Sequence, residues 1–189
     1  MLNQRGFTLP EAMLAMGIGS MLILGAMQFF PLLRQRTQSL SQHYQLDNLL
    51  RQTARTLQKD FRRAGFCAGV CSGKPFTIGQ ATGEAKGSCI IVAYDLNRNG
   101  RWEPPGHAEA EYFGYRLRDN MLESQRGMNQ CNGNGWERML DPTEIQIRKF
   151  NVEAITSDTG AALLVLNIEA NWKKSPAVNS RLHTAVKIQ

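Results

Sequence analysis

From Phe7 to Leu33 the chain is apolar except for one formal charge, the carboxylate of Glu11. About 20 consecutive apolar residues cross a bilayer as a helix, and a longer stretch is accommodated by tilt. A secretory signal has a shorter apolar region and ends at a small-residue cleavage site. Here the far end reads Gln28-Phe29-Phe30-Pro31-Leu32-Leu33-Arg34, with no such site. The span therefore reads as a permanent anchor. An ionised group inside it is costly, so Glu11 calls either for a partner or for a hydrated place near the membrane interface. The flanking cations, Arg5 on one side and Arg34 and Arg36 on the other, do not choose an orientation.

Beyond the anchor, residues 34–64 contain no glycine. Leu50, Ala54, Leu57, Phe61 and Ala64 recur at steps of three and four, the spacing of one helical face. Leu40 and Tyr44 extend the stripe upstream, while Arg51, Arg55, Gln58 and Arg62 fall on faces expected to be solvated. The pattern predicts one long helix from about Phe7 to Ala64, weakened at Pro31, which removes one backbone hydrogen bond and crowds the preceding turn. Gly65 ends it. The remainder is long enough for one domain with its own core. Residues 88–94, 112–117, 121–124, 145–152, 164–170 and 182–188 read as strands, with a hairpin turn at Asp119-Asn120. Residues 65–87 are the most loop-like part. Each apolar strand face needs a cover, and the stem helix supplies one. The expected class is α+β, an antiparallel sheet packed on the second half of a long N-terminal helix.

The junction Gly6-Phe7-Thr8-Leu9-Pro10-Glu11 resembles the N-terminus of type IV prepilins and of the pseudopilins of type II secretion. Arg63-Ala64-Gly65-Phe66-Cys67, Val70-Cys71, the Cys89-to-Gly100 segment and Cys131 through Trp136 are similar to the prepilin peptidase-dependent protein B family of minor pilins, related to J-type pseudopilins. The resemblance implies a pilin-like fold and four regions. These are a leader at 1–6, a transmembrane and assembly helix at 7–33, an amphipathic stem at 34–64 and a periplasmic β-rich head at 65–189. It implies cleavage after Gly6 by prepilin peptidase, N-methylation of Phe7, and pairing of Glu11 with the free amine of a neighbouring subunit. It also implies an inner-membrane location with single-pass topology. The implied partners are other minor pilins and the major pilin, in priming or capping a type IV pilus. The nearest alternative is a J-type pseudopilin. An alternative of another class is a signal-anchored periplasmic enzyme or binding module.

Four cysteines, Cys67, Cys71, Cys89 and Cys131, all lie in the head. In an exported domain an even count suggests two disulfides, for which three pairings exist. Cys67 with Cys71 and Cys89 with Cys131 is preferred, because Gly69 makes the short loop feasible. C-x-x-x-C without a histidine nearby is a weaker metal pattern. One further segment could bind a cation. Asp95, Asn97, Asn99 and Glu103 occupy positions one, three, five and nine of a loop whose sixth residue is Gly100, as in a calcium-binding EF-hand. Its twelfth residue is Gly106, so the usual bidentate glutamate is missing; Glu109 and Glu111 follow, but no spacing rule selects either. The competing reading is a plain turn after strand 88–94, with Asn99-Gly100 favoured for positive dihedrals.

No catalytic signature is present: there is no G-x-S-x-G, no H-E-x-x-H, and the 69–75 segment departs from a phosphate loop in length and at Pro75. The chain is therefore not expected to be an enzyme. The net charge of +6 is spread over stem and head without a dense basic run. A nucleic-acid partner is not expected on that distribution.

Overall fold

The structure is a computed structural model that describes residues 6, 8–156 and 162–188. The chain divides into two compact units, 1–42 and 43–189. One helix, α1 (Leu9–Arg63), contributes to both and runs through Pro31 without ending there. Thr8 opens it: its carbonyl accepts the amides of Glu11 and Ala12, each at 3.1 Å, and its hydroxyl donates to Glu11 Oε2 at 3.5 Å. Glu11 in the first turn and Arg62 and Arg63 in the last complement the helix dipole. Gly65, at φ 89°, turns the chain off the helix, and its amide donates to the carbonyl of Ala93 at 2.9 Å. A left-handed residue just past a helix is the usual place for glycine, which lacks a Cβ to clash.

In the second unit the buried face of α1 is Leu46, Leu50, Thr53, Ala54, Leu57 and Phe61. Leu40 and Tyr44 are exposed, which corrects the upstream end of the sequence stripe. Leu46 is one turn above Leu50 on the buried face, whereas Tyr44 is six residues away, about 120° around the helix. Gln58, expected to be solvated, instead donates to Thr184 Oγ1 at 2.6 Å.

The strands form two antiparallel sheets rather than one. The first is a five-stranded meander in sequence order: β1 (Phe76–Gly79), β2 (Cys89–Ala93), β3 (Tyr112–Arg118), β4 (Met121–Arg126) and β5 (Glu137–Arg138). The second is β6 (Ile145–Thr156), β7 (Ala162–Trp172) and β8 (Asn179–Lys187). They meet along β6, where the Ile147 amide donates to the Asn120 carbonyl and the Val152 amide to the Gly87 carbonyl, both at 2.9 Å. Residues 65–87, the region expected to be loop, contain β1, a short strand whose register on β2 is anchored opposite Cys89. The β3–β4 hairpin turns at Asp119 (φ 51°) and Asn120 (φ 61°), the left-handed pair that a two-residue turn requires.

The alternation in β6 changes phase. Ile145 and Ile147 are buried, then Phe150 and Val152. A bulge between Ile147 and Lys149 inserts one residue and returns the apolar set to the core side. The core joins the helix face to Ile90, Val92, Leu117, Leu122, Leu164, Leu166 and Ile168 from both sheets.

Candidate functional site

The N-terminal unit holds the residues expected to take part in processing and assembly. Gly6 is exposed, and Phe7 lies outside the described residues. Glu11 is exposed as well, with Thr8 as its local partner. Thr8-Leu9-Pro10-Glu11 has the T-x-x-E spacing of a capping box, a signal that was available in the sequence. Of the described residues, only α1 forms a helix long and apolar enough to cross a membrane, by length and composition. Its apolar side chains from Leu9 to Leu33 are largely exposed, Leu22 and Phe30 among them.

In the head, Cys67 is bonded to Cys71 and Cys89 to Cys131. The second bond ties β2 to the loop before β5, and a Cβ on Gly79 would lie 2.9 Å from Cys131 Sγ, so only glycine fits there. Arg116 holds the same loop. Its Nε donates to Glu123 Oε2 at 2.8 Å, its Nη1 to the Cys131 carbonyl at 2.9 Å, and its guanidinium stacks 4.2 Å from the Trp136 ring centroid. Arg116 and Glu123 are directly opposite in the β3–β4 register and both are buried.

The first disulfide loop packs on the 95–103 loop. A Cβ on Gly69 would stand 2.8 Å from Gly100 Cα. The Asp95 carboxylate collects the amides of Ala68 (3.0 Å) and Gly100 (2.9 Å) on one oxygen and of Asn99 (3.0 Å) on the other. Burial pushes its acidity one way, but the amides of Ala68, Gly100, Arg98 and Asn99 outweigh it and hold the carboxyl below its ordinary range. The loop is shaped by left-handed residues at Arg98 (φ 61°) and Gly100 (φ 84°), rather than at Asn99 and Gly100 as a plain Asn-Gly turn would have them. Asn97 Oδ1 accepts the Asn99 amide, and Asn99 Oδ1 accepts that of Arg101.

The four predicted ligands, Asp95, Asn97, Asn99 and Glu103, lie in this loop, and Glu111 stands beside it, its amide donating to the Glu103 carbonyl at 3.1 Å. Asn99 Nδ2 donates to Glu103 Oε1, as does Arg101 Nε at 3.1 Å. Glu111 Oε1 accepts the amides of Leu96 (2.6 Å) and Asn97 (3.0 Å). The two glutamates are 2% and 1% exposed, and Oε2 of each is buried without a hydrogen-bond partner. Hydrogen bonding from Asn99 holds Glu103 low, at about 2. Burial first, and then the facing Glu103, raise Glu111. Glu109, the other acidic residue of this stretch, is exposed and accepts from Asn97 Nδ2 at 3.3 Å.

A third constellation was not foreseen. The hydroxyls of Tyr94 and Tyr115 both donate to Asp60, Tyr94 to Oδ1 at 3.0 Å and Tyr115 to Oδ2. Burial, then the Asp60 charge, push Tyr94 up to about 12 and raise Tyr115 further. Asp60 sits on α1 between Leu57 and Phe61, so this bond latches the helix to β3 and the end of β2. In the sequence, Asp60 looks like any solvated helix charge.

Two family models match the sequence of this chain. The prokaryotic N-terminal methylation motif matches residues 1–27, and the prepilin peptidase-dependent protein B family matches residues 39–188. A prepilin peptidase-dependent protein B from Escherichia coli (strain K12) is 33% identical over 174 residues, covering 92% of this chain and 90% of the relative. An uncharacterized protein from Haemophilus influenzae is 24% identical over 184 residues, covering 72% of this chain and 76% of that relative. No solved structure matches.

A methylation motif leading into an exposed apolar helix, followed by a helix-backed antiparallel head, defines a type IV pilin-like protein, a structural component and not an enzyme. Within that class the chain belongs to the prepilin peptidase-dependent protein B family.

Proposed function

We propose that this chain is a minor pilin that is cut after Gly6 and N-methylated at Phe7 by prepilin peptidase. It then joins other minor pilins in the inner membrane to prime or cap a type IV pilus. The observation that carries this is the Gly6-Phe7 junction leading straight into an apolar helix whose large apolar side chains from Leu9 to Leu33 are exposed among the described residues. In a bilayer such a helix is solvated by lipid; in a fibre it packs against its neighbours, which removes the same surface from contact with water. The head stays in the periplasm, where its two disulfides persist. In this reading residues 1–6 are the leader, 7–33 the membrane and assembly helix, 34–64 the stem and 65–189 the head.

Glu11 sets axial register. Its carboxylate is exposed, accepts from the Thr8 hydroxyl at 3.5 Å, and is placed to meet the amine of a neighbouring mature subunit. A charge pair in a water-poor fibre is worth far more than one at the surface, so one position per subunit suffices to specify alignment.

Gly6→Ala tests the proposal. The expected result is an unprocessed chain and loss of piliation when it is the sole copy. Normal processing of Gly6→Ala would sink the prepilin reading. Loss of processing with loss of protein secretion in place of piliation would move the protein to a J-type pseudopilin role. Glu11→Ala should be cleaved but excluded from assembly; normal incorporation would remove the register argument.

A further inference from the structure

We propose that the 95–111 segment of the head is a calcium site, in which Glu111 replaces the acidic residue that an EF-hand loop carries at its twelfth position. Asp95, Asn97, Asn99 and Glu103 supply oxygens from the loop itself, and Glu111 enters from the start of β3. This goes beyond the assembly reading and does not depend on it.

The strongest observation is the pair of glutamates. Both are almost fully buried, each has one oxygen turned into the loop and held by hydrogen bonds, and the remaining Oε2 atoms have no partner. The Glu111 amide donates to the Glu103 carbonyl at 3.1 Å, which sets the two residues side by side. Two buried carboxylates side by side are unfavourable unless a cation neutralises them or they share a proton. Asp95 opens the same loop, its two carboxylate oxygens held by the amides of Ala68, Gly100 and Asn99. Against the two glutamates stands Arg101, which reaches one oxygen of Glu103 with a side chain that is 75% exposed, and so covers only part of the charge.

The donor set selects the ion class. Every candidate ligand atom is an oxygen, and hard divalent cations prefer oxygen. Cys67 and Cys71 lie within 4.8 Å of the Asp95 carboxylate, but their sulfurs are bonded to each other and offer no thiolate for zinc. Calcium tolerates the irregular coordination that a loop plus a distant glutamate provides, whereas magnesium demands a near-ideal octahedron. The loop is already shaped: the amides of Ala68, Asn99 and Gly100 hold Asp95, and those of Leu96 and Asn97 hold Glu111. An ion here would fasten the end of β2 to the start of β3. Through Asp95 and Gly100 it would also fasten the Cys67–Cys71 loop.

Full-length protein in detergent is the sample for the test. Trp102 lies inside the loop, with its indole N–H on the Phe66 carbonyl at 2.9 Å. Terbium bound beside it should luminesce on tryptophan excitation and be displaced by calcium. The expected affinity for calcium is roughly 0.1–1 mM, the class of extracellular modules. Calcium should also raise the melting temperature relative to EDTA, with a much smaller rise for magnesium. Glu111→Gln should weaken displacement by about tenfold or more, while Asp141→Asn, an exposed acid elsewhere, should leave it unchanged. Near-UV circular dichroism in EDTA checks that Glu111→Gln is folded. If it is not, exposed Asn97→Ala gives the same readout, with a smaller loss of affinity. No sensitised terbium signal, or melting unaffected by calcium up to about 10 mM, would overturn the site. Equal displacement in wild type and Glu111→Gln would do so too. An EDTA-stable Glu111→Gln alongside a calcium-indifferent wild type would assign the pair to a shared proton instead.

Discussion

The two parts of α1 put their apolar residues to opposite uses. From Leu9 to Leu33 its leucines, methionines and phenylalanines are exposed all round. From Leu46 to Phe61 one stripe is fully buried while the other faces carry Arg51, Arg55 and Arg62. A helix apolar on every side has no preferred face within one chain and suits lipid or a bundle of equivalent neighbours. A helix apolar on one stripe is completed by its own sheets. The contrast places folding of the protomer in the second unit and leaves the first unit's apolar surface for other molecules.

The sharpest way to break that contrast is a pair of phenylalanines on the same helix. Phe61→Ala should destabilise the head by about 3–5 kcal/mol in denaturant unfolding of the detergent-solubilised chain, because it leaves a cavity beside Tyr115. Phe30→Ala, in the exposed stretch, should leave the same transition within about 0.5 kcal/mol. A comparable loss for Phe30→Ala would mean that the apolar stretch supports the head after all.

Next in size are the disulfides. Cys89–Cys131 closes a separation of 42 residues and Cys67–Cys71 one of 4. Replacing the first pair by serine should cost about 4 kcal/mol and the second about 2 kcal/mol if restriction of the unfolded chain dominates. Equal losses in differential scanning calorimetry would show that the short loop acts in the folded state, through its packing on Gly100. Smaller again is an alkaline effect. The Tyr94 hydroxyl is raised from 10.0 to about 12, so its contribution to stability is fully present below pH 10 and is lost as pH rises through about 12. Tyr94→Phe should flatten the fall in unfolding midpoint over that window. Tyr44→Phe, on an exposed helix face, should not.

Much of the fold was legible because its signals are local. The long helix, its end at Gly65, the Asp119-Asn120 hairpin and the six longer strands β2, β3, β4, β6, β7 and β8 each follow from periodicity or turn chemistry over a few residues. The misreadings arise where the deciding partner is remote. Phe76, Thr77 and Ile78 favour strand, but the run is too short to stand out in a Gly-rich stretch, and it pairs because β2 offers an edge. Leu40 and Tyr44 continue a plausible stripe, yet which residue faces the sheet depends on where the sheet lies. The phase change at Arg148 reads as broken alternation until the bulge explains it.

The same division applies to the sites. The order of residues carries the proposed processing junction, since Gly6, Phe7 and Glu11 are contiguous enough to read as one motif. It also carries the proposed loop ligands Asp95, Asn97, Asn99 and Glu103, whose spacing is set by a single turn of chain. Only the tertiary structure decided which acid stands beside that loop, because the β2–β3 pairing buries Glu111 and leaves Glu109 in solvent. It also decided that Asp60 bonds two tyrosines and that Arg116 meets Glu123. These groups lie apart in sequence, and their proximity is set by strand register and core packing, which no local pattern encodes.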